Sequence, residues 1–433
     1  MRVIILGSGG REHALAYKMA LSDCVSTIYA LPGNPGMAFT PKVQLLAVDP
    51  CDIDRVARMA KDLKADLVIV GPEKPLAQGI VDELQKAGIV ALGPTQKAAQ
   101  LESSKIYAKE FMAEFEIPTA RFVKCADYQE ALATLTAWDY SDGKGVVLKA
   151  DELCQGKGVI VAADCLEAML GLENLMGKGD YPVKAKKIIL EEKICGKEVS
   201  AFALCDGQNF ITLGYACDYK RAYDWDQGPN TGGMGATIPQ NWPTADQRAW
   251  IEKNIFAKTM TGCQKRGIPF KGFLFAGLMI DGDGVGENIQ LLEYNTRLGD
   301  PETQVLLPSI EDDLFPYFLA AAKGELNQFQ ESPKIKKEAA IHVVMASGGY
   351  PGNNLALGKL IEYSTDIPQE DLLIFFSGVQ KDQYGLIKNS GGRVMGITAL
   401  APTLTEARAK VYAAIGKVHL EKSFCRSDIG LNA

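Results

Sequence analysis

The chain has few of the residues that build zinc sites and disulfide frameworks. Its 433 residues include three histidines, and its ten cysteines are scattered singly, without a C-x-x-C pair. This spacing is typical of reduced, mostly buried thiols and disfavours a histidine–cysteine zinc site. Any bound metal is therefore predicted to be held by oxygen ligands.

Positive charge and long apolar runs are also scarce. Lysine and arginine number 46 against 53 acidic residues, for a net charge of −7, which is the wrong sign for a protein whose main partner is nucleic acid. No apolar run approaches the roughly 20 residues of a membrane span. The first residues lack a signal-peptide layout. We expect no nucleic-acid or membrane partner, and a cytoplasmic location.

Apolar runs alternate with stretches of helical length over the first hundred residues. The runs lie at 3–6, 25–30, 67–70 and 89–92, an alternation that predicts a parallel α/β sheet. Residues 52–61 carry apolar side chains at helical spacing, and an aspartate at the start can cap that helix.

The alternation of apolar runs changes after Gly93–Pro94. The sequence then predicts a helix from 104 to about 115, which ends before Pro118. The following runs predict an antiparallel sheet with helices on one face; they lie at 146–150, 159–163, 187–191 and 199–205. Further on, we predict a helix at 250–265, paired strands at 273–280 and 289–295, tail strands near 341–346, 372–377 and 394–400, and a helix near 405–418. The predicted fold class is α/β and α+β multidomain, with units at 1–103, 104–192, 193–325 and 326–433.

A glycine-rich turn, GSGGRE at residues 7–12, follows the first strand and opens a helix. Backbone amides at such a helix start suit a phosphate or carboxylate. A dinucleotide fold is disfavoured because Glu12 replaces the third glycine of its motif and the second strand ends without an acidic residue. Two interpretations stay open: Gly9 and Gly10 bind an anionic substrate, or they only permit tight packing.

A second glycine-rich segment, KADELCQGKG at 149–158, joins two predicted strands. It lacks the G-K-[ST] ending of a Walker A loop, but a hairpin whose amides and lysines fold over phosphates does similar electrostatic work. Downstream, Glu191, Glu192 and Glu198 lie at the ends of apolar strands. Acidic and backbone groups so placed could hold adenine and ribose hydroxyls.

The strongest metal signal is LLEYNTR at 291–297, in which Glu293 and Asn295 are two residues apart on a strand. Their side chains therefore point to the same face. A carboxylate and an amide oxygen suit Mg²⁺, which takes few protein ligands and completes its shell with phosphate and water. The sequence predicts a magnesium site here.

These pieces, in this order, resemble the ATP-grasp fold. Over nearly the whole chain the sequence resembles the glycinamide ribonucleotide synthetase family, in the blocks GGREHA (9–14), PGNPG (32–36), VGPEKPL (70–76), GPNTGGMGA (228–236), GFLFAGLMID (272–281), NTRLGDPE (295–302), SGGYPG (347–352), GGRV (391–394) and FCRSDIG (424–430). The resemblance implies ATP-dependent ligation of glycine to phosphoribosylamine, with Mg²⁺ or Mn²⁺ as the metal, by a monomer or homodimer.

The resemblance also implies residue roles. ATP would be bound by Lys105, Lys149, Gly156, Lys157, Gly158, Glu191, Glu192, Ile194 and Glu198, and the metal by Glu293 and Asn295. The substrates would contact Gly9, Gly10, Arg11, Glu73, Asp218, Lys220, Arg221, Asn230, Gly232, Gly233, Met234 and Arg297. Lys149 and Arg297 are the expected catalytic residues.

The glycine hairpin departs from the family pattern, since Glu152, Cys154 and Gln155 replace small residues. An added negative charge there is expected to bear on how ATP is covered. Another ATP-grasp ligase, such as one carboxylating an aminoimidazole ribonucleotide, and a nucleotide-binding protein without turnover are the alternative functions.

Overall fold

Parallel strands with buried faces form the sheet of the first hundred residues. The computed structural model describes residues 1–154, 158–177, 184–239, 241–364, 367 and 371–431. The first elements are β1 (Arg2–Gly7), α1 (Gly10–Ala20), β2 (Thr27–Pro32), a 3₁₀ turn (Met37–Phe39), β3 (Val43–Leu45), α2 (Ile53–Asp62), β4 (Leu67–Val70), α3 (Glu73–Ala77), α4 (Ile80–Lys86), β5 (Ala91–Leu92) and α5 (Gln100–Ser103). The sheet order is β3-β2-β1-β4-β5.

The apolar side chains of strand β1 are buried on both faces of this parallel sheet. Val3 and Ile5 join one hydrophobic cluster and Ile4 and Leu6 join another, and all four side chains are fully buried. Helices on both faces are the arrangement that parallel sheets require. The predicted parallel α/β domain is confirmed. Strand β3 was not predicted, because Val43 and Leu45 are only partly buried, Gln44 is exposed, and the three residues form no apolar run.

The next unit is an antiparallel sheet with helices on one face, as predicted, except that the run at 199–205 belongs to the large sheet described below. Its elements are α6 (Lys105–Glu114), β6 (Phe122–Cys125), α7 (Tyr128–Thr136), a 3₁₀ turn (Ser141–Gly143), β7 (Val146–Ala150), β8 (Val159–Ala162), α8 (Cys165–Met176) and β9 (Ile188–Glu192). The described strands pair in the order β6-β9-β7-β8. Strands β7 and β8 form the predicted hairpin around the second glycine-rich segment.

The remaining described elements include one large sheet and three two-stranded sheets. They are β10 (Lys197–Asp206), β11 (Phe210–Asp218), β12 (Arg221–Tyr223), β13 (Gln227–Asn230), β14 (Gly235–Thr237), α9 (Ala245–Ile251), a π turn (Glu252–Phe256), α10 (Ala257–Lys265), β15 (Lys271–Ile280), β16 (Ile289–Asn295), α11 (Thr303–Ser309), α12 (Phe315–Lys323), β17 (Ala339–Ser347), β18 (Ile361–Tyr363), β19 (Leu372–Phe376), β20 (Val379–Lys381), β21 (Ile387–Asn389), β22 (Arg393–Ala401), α13 (Leu404–Ile415), β23 (Val418–Leu420) and β24 (Ser423–Phe424), with 3₁₀ turns at Asp224–Asp226, Gly286–Asn288 and Leu326–Gln328.

The main path of the large sheet is β16-β15-β10-β11-β14-β17-β22-β19, and β24 pairs with β17. It crosses the predicted limit between 325 and 326, because β14 pairs with β17. The tail also contacts the first unit: the Phe376 amide donates to His13 Nδ1 at 3.0 Å, and Asn34 Nδ2 donates to the Phe376 carbonyl at 2.9 Å. The division into four units stays a prediction.

Two predicted helices have different limits in the structure. The helix predicted from 250 begins at Ala245, because Thr244 and Gln247 form a capping box that the apolar spacing did not reveal. The tail helix ends at Ile415, and Val418 belongs to β23 instead. Among the described residues, no helix is long and apolar enough to cross a membrane.

Candidate active site

A cavity of about 1470 Å³ lies where the predicted units meet. It is larger than the roughly 300–1,000 Å³ of a typical small-molecule pocket, which leaves room for more than one substrate. The predicted site residues that line it are Arg11, Glu73, Lys105, Lys149, Gly158, Glu191, Glu192, Ile194, Glu198, Asp218, Lys220, Arg221, Asn230, Gly232, Glu293, Asn295 and Arg297. Gly9, Gly10, Gly233 and Met234 do not line it, and Gly156 and Lys157 lie outside the described residues.

One end of the cavity is built around Glu191, which β9 places between two lysines. Its Oε2 lies 2.9 Å from Lys149 Nζ and 3.0 Å from Lys109 Nζ. Lys109 also donates to Thr119 Oγ1 at 2.6 Å. The other carboxylate oxygen, Glu191 Oε1, is buried and has no hydrogen-bond partner among the described residues. A buried acceptor without a partner, on a residue that lines the cavity, is suited to a donor on a ligand.

Lys109 was missed by the sequence analysis. It lies one helical turn after Lys105 on α6, and this i, i+4 spacing on one helix face was the signal that could have identified it. Burial lowers the pKa of Lys109 to about 8, although the charge of Glu191 opposes that shift. The lysine therefore lies close to losing its proton in the neutral-to-alkaline range.

The start of α6 is tied to the glycine hairpin. Asp151 Oδ1 accepts hydrogen bonds from Ser104 Oγ at 2.9 Å and from the Ile106 amide at 3.0 Å. Lys105 Nζ donates to the backbone carbonyl of Glu152 at 3.1 Å. Glu152 is one of the positions at which the hairpin departs from the family pattern. Lys105 contacts the backbone of Glu152, so the contact does not depend on the Glu152 side chain.

The predicted metal ligands lie on the neighbouring edge strand of the large sheet. On β16, Glu293 and Asn295 pair with β15 opposite Gly277 and Phe275, so β15 places no carboxylate directly across from them. Burial acts to raise the pKa of Glu293, yet Lys220 and Lys149 hold it below its usual value. Across the described ranges, no cluster of three or more His, Cys, Asp or Glu side chains could hold a metal ion.

Carboxylates dominate the other end of the cavity. Lys220 forms an ion pair with Glu198 and lies 4.0 Å from Asp218 Oδ2. Nearby, Glu302 Oε1 accepts a hydrogen bond from Ser200 Oγ at 3.0 Å. Burial raises the pKa of both Asp218 and Glu302, although Lys220 opposes the shift. This end of the cavity therefore holds more acid than its one lysine can neutralise.

Arg297 is held by two acidic residues from the first predicted unit, residues 1–103. Its Nη2 lies 3.0 Å from Glu102 Oε1 and its Nε lies 3.5 Å from Glu73 Oε2. Glu102 is itself fixed by the Thr296 amide, which donates to its Oε2 at 2.8 Å. Burial acts to raise the pKa of Glu73, but Arg297 and Arg11 keep it below its usual value. Glu102 carried no sequence signal, because it lies in no recognised motif.

The N-terminal glycines surround Glu12 in the structure. The Gly9 amide donates to Glu12 Oε2 at 2.6 Å, and the Arg11 amide lies 3.4 Å from Asp300 Oδ2. A Cβ at Gly71 would come within 2.2 Å of the Glu12 carboxylate. The open helix start expected for a substrate anion is thus already occupied by protein carboxylates, which supports the packing interpretation. Substrate contacts at Gly9 and Gly10 stay a prediction.

The architecture defines an ATP-grasp protein: a parallel domain, an antiparallel sheet with a glycine hairpin, and a large sheet that carries the acidic pair. Family models of phosphoribosylglycinamide synthetase match residues 1–102 (N domain), 103–303 (ATP-grasp domain) and 340–432 (C domain). The chain belongs to the phosphoribosylglycinamide synthetase family. The fold class and the family resemblance inferred from the sequence are confirmed.

Relatives of known name match the chain over its full length. The phosphoribosylamine–glycine ligase of Phenylobacterium zucineum is 40% identical over 433 residues, covering 100% of this chain and 99% of the relative. That of Caulobacter vibrioides is 41% identical over 436 residues, covering 100% and 98%. The crystal structure of the Thermotoga maritima phosphoribosylamine–glycine ligase has a TM-score of 0.81 at 34% identity, covering 99% of this chain and all of that one.

A more distant structure shares the fold alone. The biotin carboxylase domain of the Hydrogenobacter thermophilus 2-oxoglutarate carboxylase, in complex with MgADP and bicarbonate, has a TM-score of 0.73 at 18% identity. It covers 98% of this chain and 91% of that one.

Proposed function

We propose that this chain ligates glycine to 5-phosphoribosylamine at the expense of ATP, forming glycinamide ribonucleotide, ADP and phosphate, a step of de novo purine biosynthesis. The observation that carries the proposal is one cavity, in a chain of this family, with a lysine-rich end and an acid-rich end on either side of Glu293. The two ends suit ATP and an amino acid respectively.

The lysine-rich end is the proposed nucleotide site. Lys105 and Lys149 supply positive charge to the phosphates, with backbone from the hairpin around Gly158. The unpartnered Glu191 Oε1 accepts a hydrogen bond from the amino group of adenine. Glu192 and Ile194 complete the base site, and Glu198, which also pairs with Lys220 of the acid-rich end, receives a ribose hydroxyl.

The donor set on β16 suits a hard divalent cation. Mg²⁺ is usually bound through one or two carboxylates together with substrate phosphates and water, and Glu293 with Asn295 supplies an ionised carboxylate and an amide oxygen. These two residues hold the metal, which neutralises phosphate charge when it is bound. We propose Mg²⁺ as the usual ion, with Mn²⁺ as a substitute.

The acid-rich end is the proposed glycine site. Asp218 and Glu302 can receive the ammonium group, while Lys220 and Arg297 attract the carboxylate. Thr231 and Gly232 come from the GPNTGGMGA block and line the same side of the cavity. Phosphoribosylamine is placed toward the first unit, where Arg11 and Glu73 line the cavity.

The reaction proceeds in two displacements. A carboxylate oxygen of glycine attacks the γ-phosphorus of ATP, the bond to the ADP oxygen breaks, and glycyl phosphate forms. The amine of phosphoribosylamine then attacks the glycyl carbonyl carbon, the carbon–oxygen bond to phosphate breaks, and the nitrogen loses a proton as the amide forms. The residues contribute positioning, positive charge and exclusion of water from the acyl phosphate.

Release of ADP tests the proposal. Wild-type protein is supplied with ATP, Mg²⁺, glycine and freshly generated phosphoribosylamine, and each component is omitted in turn. ADP release that requires both substrates supports the ligase. Release indifferent to glycine contradicts it, and bicarbonate-dependent release with an aminoimidazole ribonucleotide would favour the carboxylating alternative.

Further properties complete the proposal. The chain acts as a monomer or homodimer in the cytoplasm, and its units divide near residues 103, 192 and 325. Light scattering coupled to size exclusion measures the oligomeric state, and limited proteolysis followed by mass spectrometry locates the domain limits.

A further inference from the structure

The FCRSDIG block at residues 424–430 forms hydrogen bonds to one hairpin of the cavity wall. Within it, Arg426 is 1% exposed, an unusual burial for an arginine. Its Nε and Nη2 donate to the two oxygens of Asp428 at 2.8 and 2.6 Å. Its Nη1 donates to Asp226 Oδ1 at 2.8 Å and to the Arg221 carbonyl at 3.2 Å. The hydrogen bonds that the guanidinium makes outside the block therefore go to residues 221–226.

That hairpin, called the 219–230 hairpin below, consists of Tyr219 and Lys220 followed by β12, the Asp224–Asp226 turn and β13. Trp225 and Asp226 both have left-handed backbone conformations, with φ of 59° and 53°. Residues other than glycine rarely adopt this conformation, and it persists only where the surroundings impose it. The hairpin therefore needs an external restraint.

The C-terminal block supplies this restraint at successive positions. The Trp225 amide donates to Asp428 Oδ2 at 2.8 Å, and the Ser427 amide donates to Asp224 Oδ1 at 2.7 Å. At the base of the hairpin, the Gly430 amide donates to the Tyr219 hydroxyl at 3.0 Å. The Arg426 guanidinium lies over the Tyr219 ring, 5.1 Å from its centre.

The held hairpin presents side chains to the cavity. Arg221, Trp225 and Asn230 line it, and Arg221 pairs with Asn230 across the two strands. The segment that follows is restrained from the same direction, because the Gly232 amide donates to the Tyr350 hydroxyl at 3.0 Å. Residues of the C-terminal unit thus determine where this wall of the cavity lies.

We infer that Arg426 is a positioning residue for the ligation: it holds the 219–230 hairpin so that Arg221 and Asn230 meet the amino-acid substrate. The inference rests on the proposed function for the identity of that substrate. Arg426 borders the cavity, but its guanidinium donates to Asp428, Asp226 and the Arg221 carbonyl, so it acts through the hairpin and not on the reacting atoms. Its main effect is expected on glycine, whose site adjoins Asp218 and Lys220, and its effect on ATP is expected to be small, because the hairpin approaches the proposed nucleotide site only through the pair of Lys220 with Glu198.

Arg426→Met is the main test, with Arg426→Lys as the conservative variant. The methionine variant removes all four donated bonds, and we expect the KM for glycine to rise by about ten- to a hundredfold, since small misplacements cost that much. The KM for ATP is expected to stay within about twofold of wild type. The lysine variant keeps the charge but loses the two-pronged contact with Asp428, so it should recover only part of the loss.

Hydrogen exchange followed by mass spectrometry provides a readout independent of turnover. Exchange of peptides covering 219–230 should accelerate in Arg426→Met, while peptides from β10 stay unchanged. Lys359→Met is the matched control, because it removes a cation of the same unit whose partner, Glu421, is on the surface. Asp226→Asn, at a 71% exposed side chain, tests the same contact if Arg426→Met does not fold, and should shift the glycine KM in the same direction.

The outcomes separate this inference from the proposed function. Wild-type glycine KM and wild-type exchange in Arg426→Met, or in Asp226→Asn if the former does not fold, would overturn the inference. Equal rises of both KM values with uniformly faster exchange would reduce Arg426 to a general packing role and also overturn it. If wild-type protein releases no ADP in response to glycine, the proposed function fails, while exchange at 219–230 still decides whether Arg426 holds the hairpin.

Discussion

The two ends of the cavity have opposite imbalances of acidic and basic side chains. At one end, Lys109 and Lys149 share the single carboxylate of Glu191. At the other, Glu198 and Asp218 share the single ammonium of Lys220, and Glu302 adds a further carboxylate. The first contact group therefore has more basic than acidic side chains and the second more acidic than basic ones, and burial raises the pKa of Asp218 and Glu302, so that protonation relieves part of the acidic excess. Charge surplus at a buried site is costly unless a ligand neutralises it, so the difference indicates which substrate group belongs at each end.

Glu293 lies between the two ends, and its removal is expected to have the largest effect. Lys149 and Lys220 both act on this carboxylate. We expect Glu293→Ala to lower kcat/KM by about a thousandfold or more, because the loss of metal stabilisation costs several kcal/mol and each 1.36 kcal/mol is tenfold. Steady-state ADP release at varied Mg²⁺ measures it.

Glu287→Ala, in the exposed turn before the same strand, is the control and should retain wild-type rates. Circular dichroism checks that both variants fold. Near-normal turnover in Glu293→Ala would mean that the metal binds elsewhere and that Glu293 does not hold it between the two ends of the cavity.

Asp218→Asn tests the acid-rich end and is expected to have the intermediate effect. We expect the KM for glycine to rise about ten- to a hundredfold, since a charged hydrogen bond contributes roughly 1.5–3 kcal/mol. The Tm should stay equal near pH 7, where burial keeps most of Asp218 protonated, and rise by about 1–2 °C above pH 8, where the substitution removes a buried charge. Initial rates and thermal unfolding measure the two quantities.

Asp281→Asn is the control, because it changes an exposed carboxylate in the turn before β16. It should alter neither the KM for glycine nor the Tm. If Asp218→Asn weakens ATP and glycine equally, the two ends of the cavity are not separate sites.

Lys109→Met tests the lysine-rich end through pH, with the smallest expected effect. The folded chain releases this proton near pH 8, whereas an unfolded lysine keeps it to about 10.4. The unfolded state therefore binds more protons between these values, and the stability contributed by this group rises with pH across that window. The Tm of wild type relative to Lys109→Met should increase by about 2 °C from pH 7.5 to 9.5.

Lys124→Met is the matched control, since both Lys124 and its partner Glu110 are largely exposed. Its Tm difference from wild type should not change with pH. A flat difference for Lys109→Met as well would mean that Lys109 keeps an ordinary pKa, and that the lysine-rich end is more open to water than its geometry indicates.

Much of the site could be predicted because its residues lie in recognisable local patterns. Lys149 ends an apolar strand before a glycine hairpin, and Glu293 and Asn295 alternate on another strand. The structure brings these side chains to one cavity. Their precise roles stay predictions, since no ligand contact tests them.

The residues that were missed are partners of the predicted ones. Lys109, Glu102 and Glu302 each act through a residue from a distant part of the chain, such as Glu191 for Lys109 and Arg297 for Glu102. Helical spacing marked Lys109 only weakly, and a lone glutamate is usually a solvated surface group. At Gly9, the amide of a typical anion-binding pattern donates to Glu12 from its own helix, and substrate contact there stays a prediction.

By itself, the sequence determined the elements and the chemistry available to them. Apolar runs, capping residues and glycines act within a few positions of the chain, so the strands, the hairpin and the acidic pair could be predicted from local spacing. Only the tertiary structure decided which charges meet and which stay surplus, because an ion pair depends on distance and burial between residues far apart in sequence. The grip of Arg426 on the 219–230 hairpin, across about two hundred residues, is of that kind.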